Sequence, residues 1–225
     1  MSNFDSDGSP DSEWEDRGDV AWNEFDWERY LREQDDAIHR YLRFYDAAAG
    51  HADRIDVVAE KMGWGQDDWS DDQALEGTPR EADDSPSVED DVYTLHKNPI
   101  FIATKAITLG LRRDWIGRAV NSHKVPQALA VNFLASLQNS EEQATQAIHA
   151  LDFGDYAMAV SLFKRAMSAL NGSLALLNSD EALHRDSLVA WRADAQPRLF
   201  DLREIWLRVI AECRDELERP ADDEN

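Results

Sequence analysis

Cysteine is all but missing from this chain: Cys213 is the one example in 225 residues. A single thiol cannot close an internal disulfide, and its place on an apolar helical stripe marks it as a core group in a reducing compartment, not a nucleophile. Long apolar runs are missing too. No stretch approaches the roughly 20 residues that a membrane-spanning helix needs, and the opening through Asp19 is acidic and polar, the reverse of a signal peptide. Strand-like alternation is absent over any useful length. So are a Gly-rich phosphate loop, a Ser and His pair, a cysteine cluster and a His-Glu-x-x-His sequence. These absences imply a cytoplasmic protein without membrane contact, and they leave no catalytic, cofactor-binding or metal motif to name.

Positive charge is also scarce, since 23 Lys and Arg face 46 Asp and Glu and leave a net charge of −23. That excess argues against nucleic acid or an anionic membrane as the main partner and makes a basic protein the natural complement. The plainer reading is that acidity serves solubility or a saline interior, which five Lys against eighteen Arg also suit.

What is present is helical periodicity. Tyr156, Val160, Phe163, Met167, Leu170, Leu174 and Leu177 fall at steps of four and three, one stripe of a helix from Asp155 to Leu177. Such a stripe must be covered by other helices, so the expected fold is an all-α, antiparallel bundle of about four to six helices. Residues 1–22 are rich in Ser, Asp, Gly and Glu, with Trp14 among the acids, and are expected to form a disordered acidic tail. In the next segment, 23–63, a helix from Asp26 carries Trp27, Tyr30, Leu31, Ile38, Tyr41, Leu42 and Tyr45 inward and stops at Gly50. A short helix follows from Asp53 to Met62 and ends at Gly63. Residues 64–95 read as a disordered linker, with eleven acids, one Arg and two prolines between Gln66 and Asp91.

The bundle core is expected over 96–218. Asn98 and Pro99 give a cap and a first-turn proline for a helix to about Asn121, apolar on most sides through Ile100, Phe101, Ile102, Ile107, Leu109, Leu111, Trp115, Ile116 and Val120. Pro126 opens another, with Leu134, Leu137, Glu141, Ala144, Ile148 and Leu151 in phase. Ser140 and Gln143 have capping-box spacing, but the unbroken phase favours one helix. Phe153 and Gly154 make a short turn, so the two flanking helices should lie antiparallel, and the stripe either runs straight through Asn171 and Gly172 or breaks there. Asp180 can cap a helix with Leu183, Leu188 and Trp191 inward, which Pro197 kinks or ends. Leu202, Ile205, Trp206, Val209, Ile210, Cys213 and Leu217 define the last, before an acidic end at 219–225.

Gly154, Asp155, Tyr156, Ala159, Val160, Phe163 and Ala166 resemble the second helix of a tetratricopeptide repeat, with Ala147 and Ala150 supplying the small positions of the preceding helix. The resemblance implies a close-packed helical hairpin. Gln143 stands where that family has a large aromatic, and no second copy follows at the repeat's spacing.

Several residue sets are candidate sites. Asp36 and His39, Gln146 and His149, and Glu181 and His184 share a spacing that is similar to the Glu-x-x-His pairs of ferritin-like metal bundles. His184 alone falls in its helix's apolar arc, so Glu141, Glu181 and His184 are the candidates for a metal-carboxylate site, the alternative reading. Arg118 and His123 resemble the Arg-x4-His pair of HEPN-type nucleases. Lys97, Lys105, Arg112, Arg113, Arg118 and Lys124 against Asp114 form a basic stretch that the acidic linker could cover, unless these cations only balance nearby acids. Trp14 and Trp69 each sit within acidic residues, an anchor in mobile charge that suits a basic, partly apolar groove. The favoured function is therefore a non-enzymatic protein-interaction or scaffold module using these segments, with a protein partner of basic character and homo-oligomers open.

Overall fold

Asn23 opens the first helix, α1 (Glu24–Ala47), with a reciprocal capping box: its side chain accepts from the backbone of Phe25 and Asp26, and the Asp26 carboxylate accepts from the Asn23 N–H. The computed structural model describes residues 22–65 and 97–219, among which all regular structure is helical and no strand occurs. The expected acidic tail, most of the linker and the C-terminal acidic end lie outside the described residues. Two boundaries move inward: Trp22 touches the rings of Trp27 and Tyr30, and Trp64 stacks on Tyr41 at 5.7 Å. Gly50 does not stop α1, which is already capped at Ala48.

The next helix, α2 (Arg54–Met62), ends as expected at Gly63, whose φ of 81° is open to glycine at little cost. Asn98 caps α3 (Pro99–Ala119) by accepting from Phe101 N, and Pro99 fills the first turn. Then α4 (Gln127–Asp152) runs unbroken through Ser140, whose hydroxyl donates to Leu137 O within the helix instead of capping a new one. Gly154, at φ 70°, joins it to α5 (Tyr156–Leu177): Gly154 N donates to Leu151 O and Asp155 N to Ala150 O, a Schellman turn that satisfies two terminal carbonyls. Asn171 and Gly172 do not interrupt α5.

The C-terminal third corrects two expectations. Ser179, not Asp180, caps a single turn, α6 (Asp180–Leu183), and the chain breaks before α7 (Asp186–Glu218). Leu183 is consequently exposed, while Leu188 and Trp191 face inward as expected. Pro197 neither ends nor restarts the helix. It lies on the exposed side with Ala193, where water can replace the bond that proline removes.

Contacts fix the helix directions. Glu141 of α4 meets Lys105 and Arg112 of α3, while Trp115 reaches Ala130, so α4 returns along α3. Ser136 of α4 donates to Ala169 of α5, Gln196 of α7 reaches Asn178 just beyond α5, and Trp206 of α7 donates to Thr104 of α3. Thus α3, α4, α5 and α7 form an antiparallel four-helix ring, with α1 and α2 packed outside it. The tightest seam joins α4 and α5. There Ala144, Ala147, Ala159, Ala166, Ser140 and Ser173 are buried, and a Cβ on Gly172 would lie 3.0 Å from Ser136 Oγ.

In contrast, α1 runs parallel to α3. Leu42 meets Gly110 and, one turn on, Asp46 shares Arg198 with Asp114, so the two helices advance together. This register places Leu31 level with Pro99, the first residue of α3. Ile38, Tyr41, Leu42 and Tyr45 are buried as the stripe predicts, but Trp27 is 52% and Leu31 48% exposed because α1 has outrun its neighbour. Ile116, Val120 and Leu217, expected inward, are likewise exposed near the ends of their helices.

The parallel contact depends on a missing side chain. A Cβ at Gly110 would stand 3.0 Å from Leu42 Cδ1 and 3.1 Å from Arg198 Nη1, whereas one at Gly117 meets nothing within 4 Å. Gly110→Ala should lower stability by about 1–3 kcal/mol, because both neighbours are held in place. Gly117→Ala should raise it by up to about 1 kcal/mol through helix propensity. Urea unfolding of both variants checks the opposite signs.

Candidate interaction site

The charged groups at the α1–α2–α7 junction are already spoken for. Asp201 of α7 accepts from Tyr45 Oη at 2.5 Å and from Arg54 Nε at 2.7 Å, with the second Arg54 nitrogen also on the same oxygen. The Arg54 guanidinium sits 4.1 Å over the Tyr45 ring, and Tyr41 stacks on Tyr45 at 6.0 Å. Burial, and then the Asp201 carboxylate, pushes both phenols well above their usual range, so they remain protonated. Arg54 is buried, and its charge is tolerated because Asp201 is there. Nearby, Arg208 grips Asp56 with contacts of 2.5 and 3.3 Å, and Arg198 spans Asp46, Asp114 and Asp194. These groups hold α1 and α2 to α7.

The metal candidates are not assembled. Glu141 is buried in α4, where its carboxylate receives Lys105 Nζ at 2.7 Å and Arg112. Glu181 and His184 lie on the α6 turn and are exposed, and His184 Nδ1 donates to Asp180 O at 2.7 Å. His184 leaves the apolar arc because the helix that would have carried it breaks at Arg185. Asp36, His39, Gln146 and His149 are exposed as well. Among the described residues no group of three or more His, Cys, Asp or Glu is placed to hold a metal ion. Arg118 and His123 are exposed, on α3 and on the loop after it.

Three of the six cations of the basic stretch meet acids within the fold. Lys105 and Arg112 share Glu141, and Arg113 contacts Asp114 at 3.2 Å and Asp46 at 3.8 Å. Those three cations balance neighbouring acids, Arg118 and Lys124 are exposed, and the linker expected to cover this stretch lies outside the described residues. Cys213 is buried, and burial, then Glu212, pushes its thiol up to about 11, so it stays un-ionised at neutral pH. Trp14 and Trp69 fall outside the described residues.

The outer half of α1 carries Trp27 and Leu31 about half exposed. Turning 100° per residue, Trp27, Tyr30, Leu31 and Gln34 lie on the same face as the buried Ile38, Tyr41, Leu42 and Tyr45. Trp22, Trp27 and Tyr30 form a three-ring cluster with centroids 4.9, 5.6 and 5.9 Å apart. Glu24, Glu28 and Asp35 line one edge of this face, and Asp26 and Glu33 the other. Arg29 and Arg32 are turned to the back, tied to Asp26 at 2.7 Å and Glu28 at 2.8 Å. The exposed Phe25 points away from the stripe. Sequence periodicity identifies this stripe but assigns all of it to the core; only the register against α3 separates its covered and uncovered halves. Comparison with family models, curated proteins and solved structures finds no match.

Because Asp201 offsets a buried guanidinium, Asp201→Ala should cost about 3–5 kcal/mol. Asp56→Ala, at a half-exposed pair, should cost under about 1 kcal/mol. Tyr41 Oη is buried without a hydrogen-bond partner, so Tyr41→Phe should be neutral or stabilising, while Tyr45→Phe destabilises. Thermal unfolding of the four variants ranks them.

Proposed function

We propose that the chain is a non-enzymatic protein-association module of the cytoplasm that recruits a basic protein partner through acidic segments carrying tryptophan. What carries the reading is the outer half of α1, where a tryptophan and a leucine on a core-type stripe stay about half exposed in a stretch, 24–36, with six acids against two arginines. Large rings left in water gain nothing until a groove covers them, and then they contribute most of an interface's energy. The surrounding carboxylates attract a cationic partner over a distance set by ionic strength. Trp14 and Trp69 repeat the same pairing of ring and acid in the sequence. The absence of any membrane-length apolar helix among the described residues fits this setting.

A quantitative pulldown with the full chain tests the proposal. A basic partner should be retained at low salt and released at high salt, and the variant with Trp14, Trp27 and Trp69 all changed to Ala should retain at most about a tenth of it, as loss of hot-spot rings predicts. An unchanged set of partners from the triple variant would refute the proposal.

A further inference from the structure

We infer that the outer face of the α4–α5 hairpin docks a second copy of this chain, hairpin on hairpin, about a two-fold axis that runs along the helices. The face is separate from the tryptophan-bearing segments, so the inference stands apart from the association role. It begins from a shortage of charge. In the whole chain 31% of residues are charged, yet α4 from Gln127 to Leu151 has only Glu141 and Glu142, and α5 only Lys164 and Arg165. Glu141 is buried on Lys105 and Arg112, so about seven turns of α4 show water a single carboxylate. Val131, Ala135, Asn139, Gln146 and His149 make up the exposed face around it. Depletion of charge beside large apolar groups is the compositional mark of a protein interface, not of a solvated helix. Those groups are present: Val131 is 57% exposed, Phe153 at the turn 87% and Met158 on α5 54%.

The placement of the few charges selects the occupant. Ser136 of α4 donates to Ala169 of α5. Because the helices are antiparallel, Glu142, six residues on, and Arg165, four residues back, lie within about 3 Å of one level. Both are exposed. A two-fold axis along the hairpin lays α4 of each copy on α5 of the other without changing level, so Glu142 of each copy meets Arg165 of the other. The same operation brings Phe153 to Met158 at the turn and Val131 to Ala175 at the far end. An isologous contact requires this self-complementarity, in which residue i meets j and j meets i. A strongly charged partner of either sign has little to hold on a face with one carboxylate and two cations.

From Val131 to Phe153 the face is about 33 Å long, and two helices make it about 20 Å wide. Roughly 650 Å² in plan for each copy falls a little short of the ~800 Å² per partner of a standard interface, so the dimer is weak and reversible. The charge of −23 on each copy opposes it, and salt screens that repulsion. Dimerisation therefore tightens as salt rises, the reverse of binding to a basic protein.

Sedimentation equilibrium of the full chain, at concentrations up to about 1 mM and at low and high salt, tests the pairing. The parent chain should show a monomer–dimer equilibrium that tightens with salt. Arg165→Glu and Glu142→Arg should each weaken the dimer about tenfold or more, because like charges then face one another at two symmetric places. The double variant carrying both exchanges should return it to within about threefold of the parent. Phe200→Glu, on the outer face of α7, should leave it unchanged. All three side chains are exposed, so none of these variants threatens the fold. A chain that stays monomeric throughout overturns the inference. So does a dimer that Arg165→Glu leaves intact, that Phe200→Glu weakens equally, or that the double exchange fails to restore.

Discussion

The contact between Leu42 and Gly110, backed by the guanidinium of Arg198, sets how α1 lies against α3. It lets α1 approach α3 closely enough that Arg198 can reach Asp46 on one helix and Asp114 on the other. A methyl group in that space would force the helices apart or displace the arginine. Because the two helices run parallel, the contact also fixes where α1 ends its support. Everything before Leu31 lies beyond the start of α3, and the aromatic ridge passes from core to surface within a single rigid rod.

Charge is handled differently in the interior and on the surface. Inside, scarce cations are placed where one can serve several acids or where a buried charge needs an immediate counterpart: Arg198 among three aspartates, Arg54 on Asp201, Lys105 and Arg112 on Glu141. Breaking such pairs is costly even where forming them stabilises little, because the remaining charge has lost its solvent. Among the described residues, other acids lie on outer faces, and on the first turns of α1 they border the exposed ring of Trp27.

Local signals are readable from the residues alone. Asn98 and Pro99 start α3, Gly63 and Gly154 adopt the left-handed turns that only glycine takes cheaply, and the in-phase stripes carry α4 and α5 through Ser140 and Gly172. Nonlocal facts are not readable in this way. Trp27 and Leu31 have the same periodicity as Tyr41 and Leu42, and nothing in their neighbourhood says that α3 begins opposite Leu31. The burial of Glu141 follows from its stripe, but its partners lie 36 and 29 residues earlier, so a paired carboxylate resembles a metal ligand until α3 is placed beside it. His184 is carried off its expected face by a helix break whose cause is partly distant: Arg185 and Ser187 tie the start of α7 to the carbonyls of His123 and Lys124.

Hydrogen exchange along α1 in the isolated full chain tests this geometry most directly. With α3 beginning level with Leu31, amides from Ala37 to Ala47 should exchange only through global opening, while those from Glu24 to Gln34 should exchange faster by about two orders of magnitude or more, as for a helix without tertiary cover. Uniform protection from Glu24 to Ala47 would mean that the outer half of α1 is covered within the chain, and would contradict the overhang.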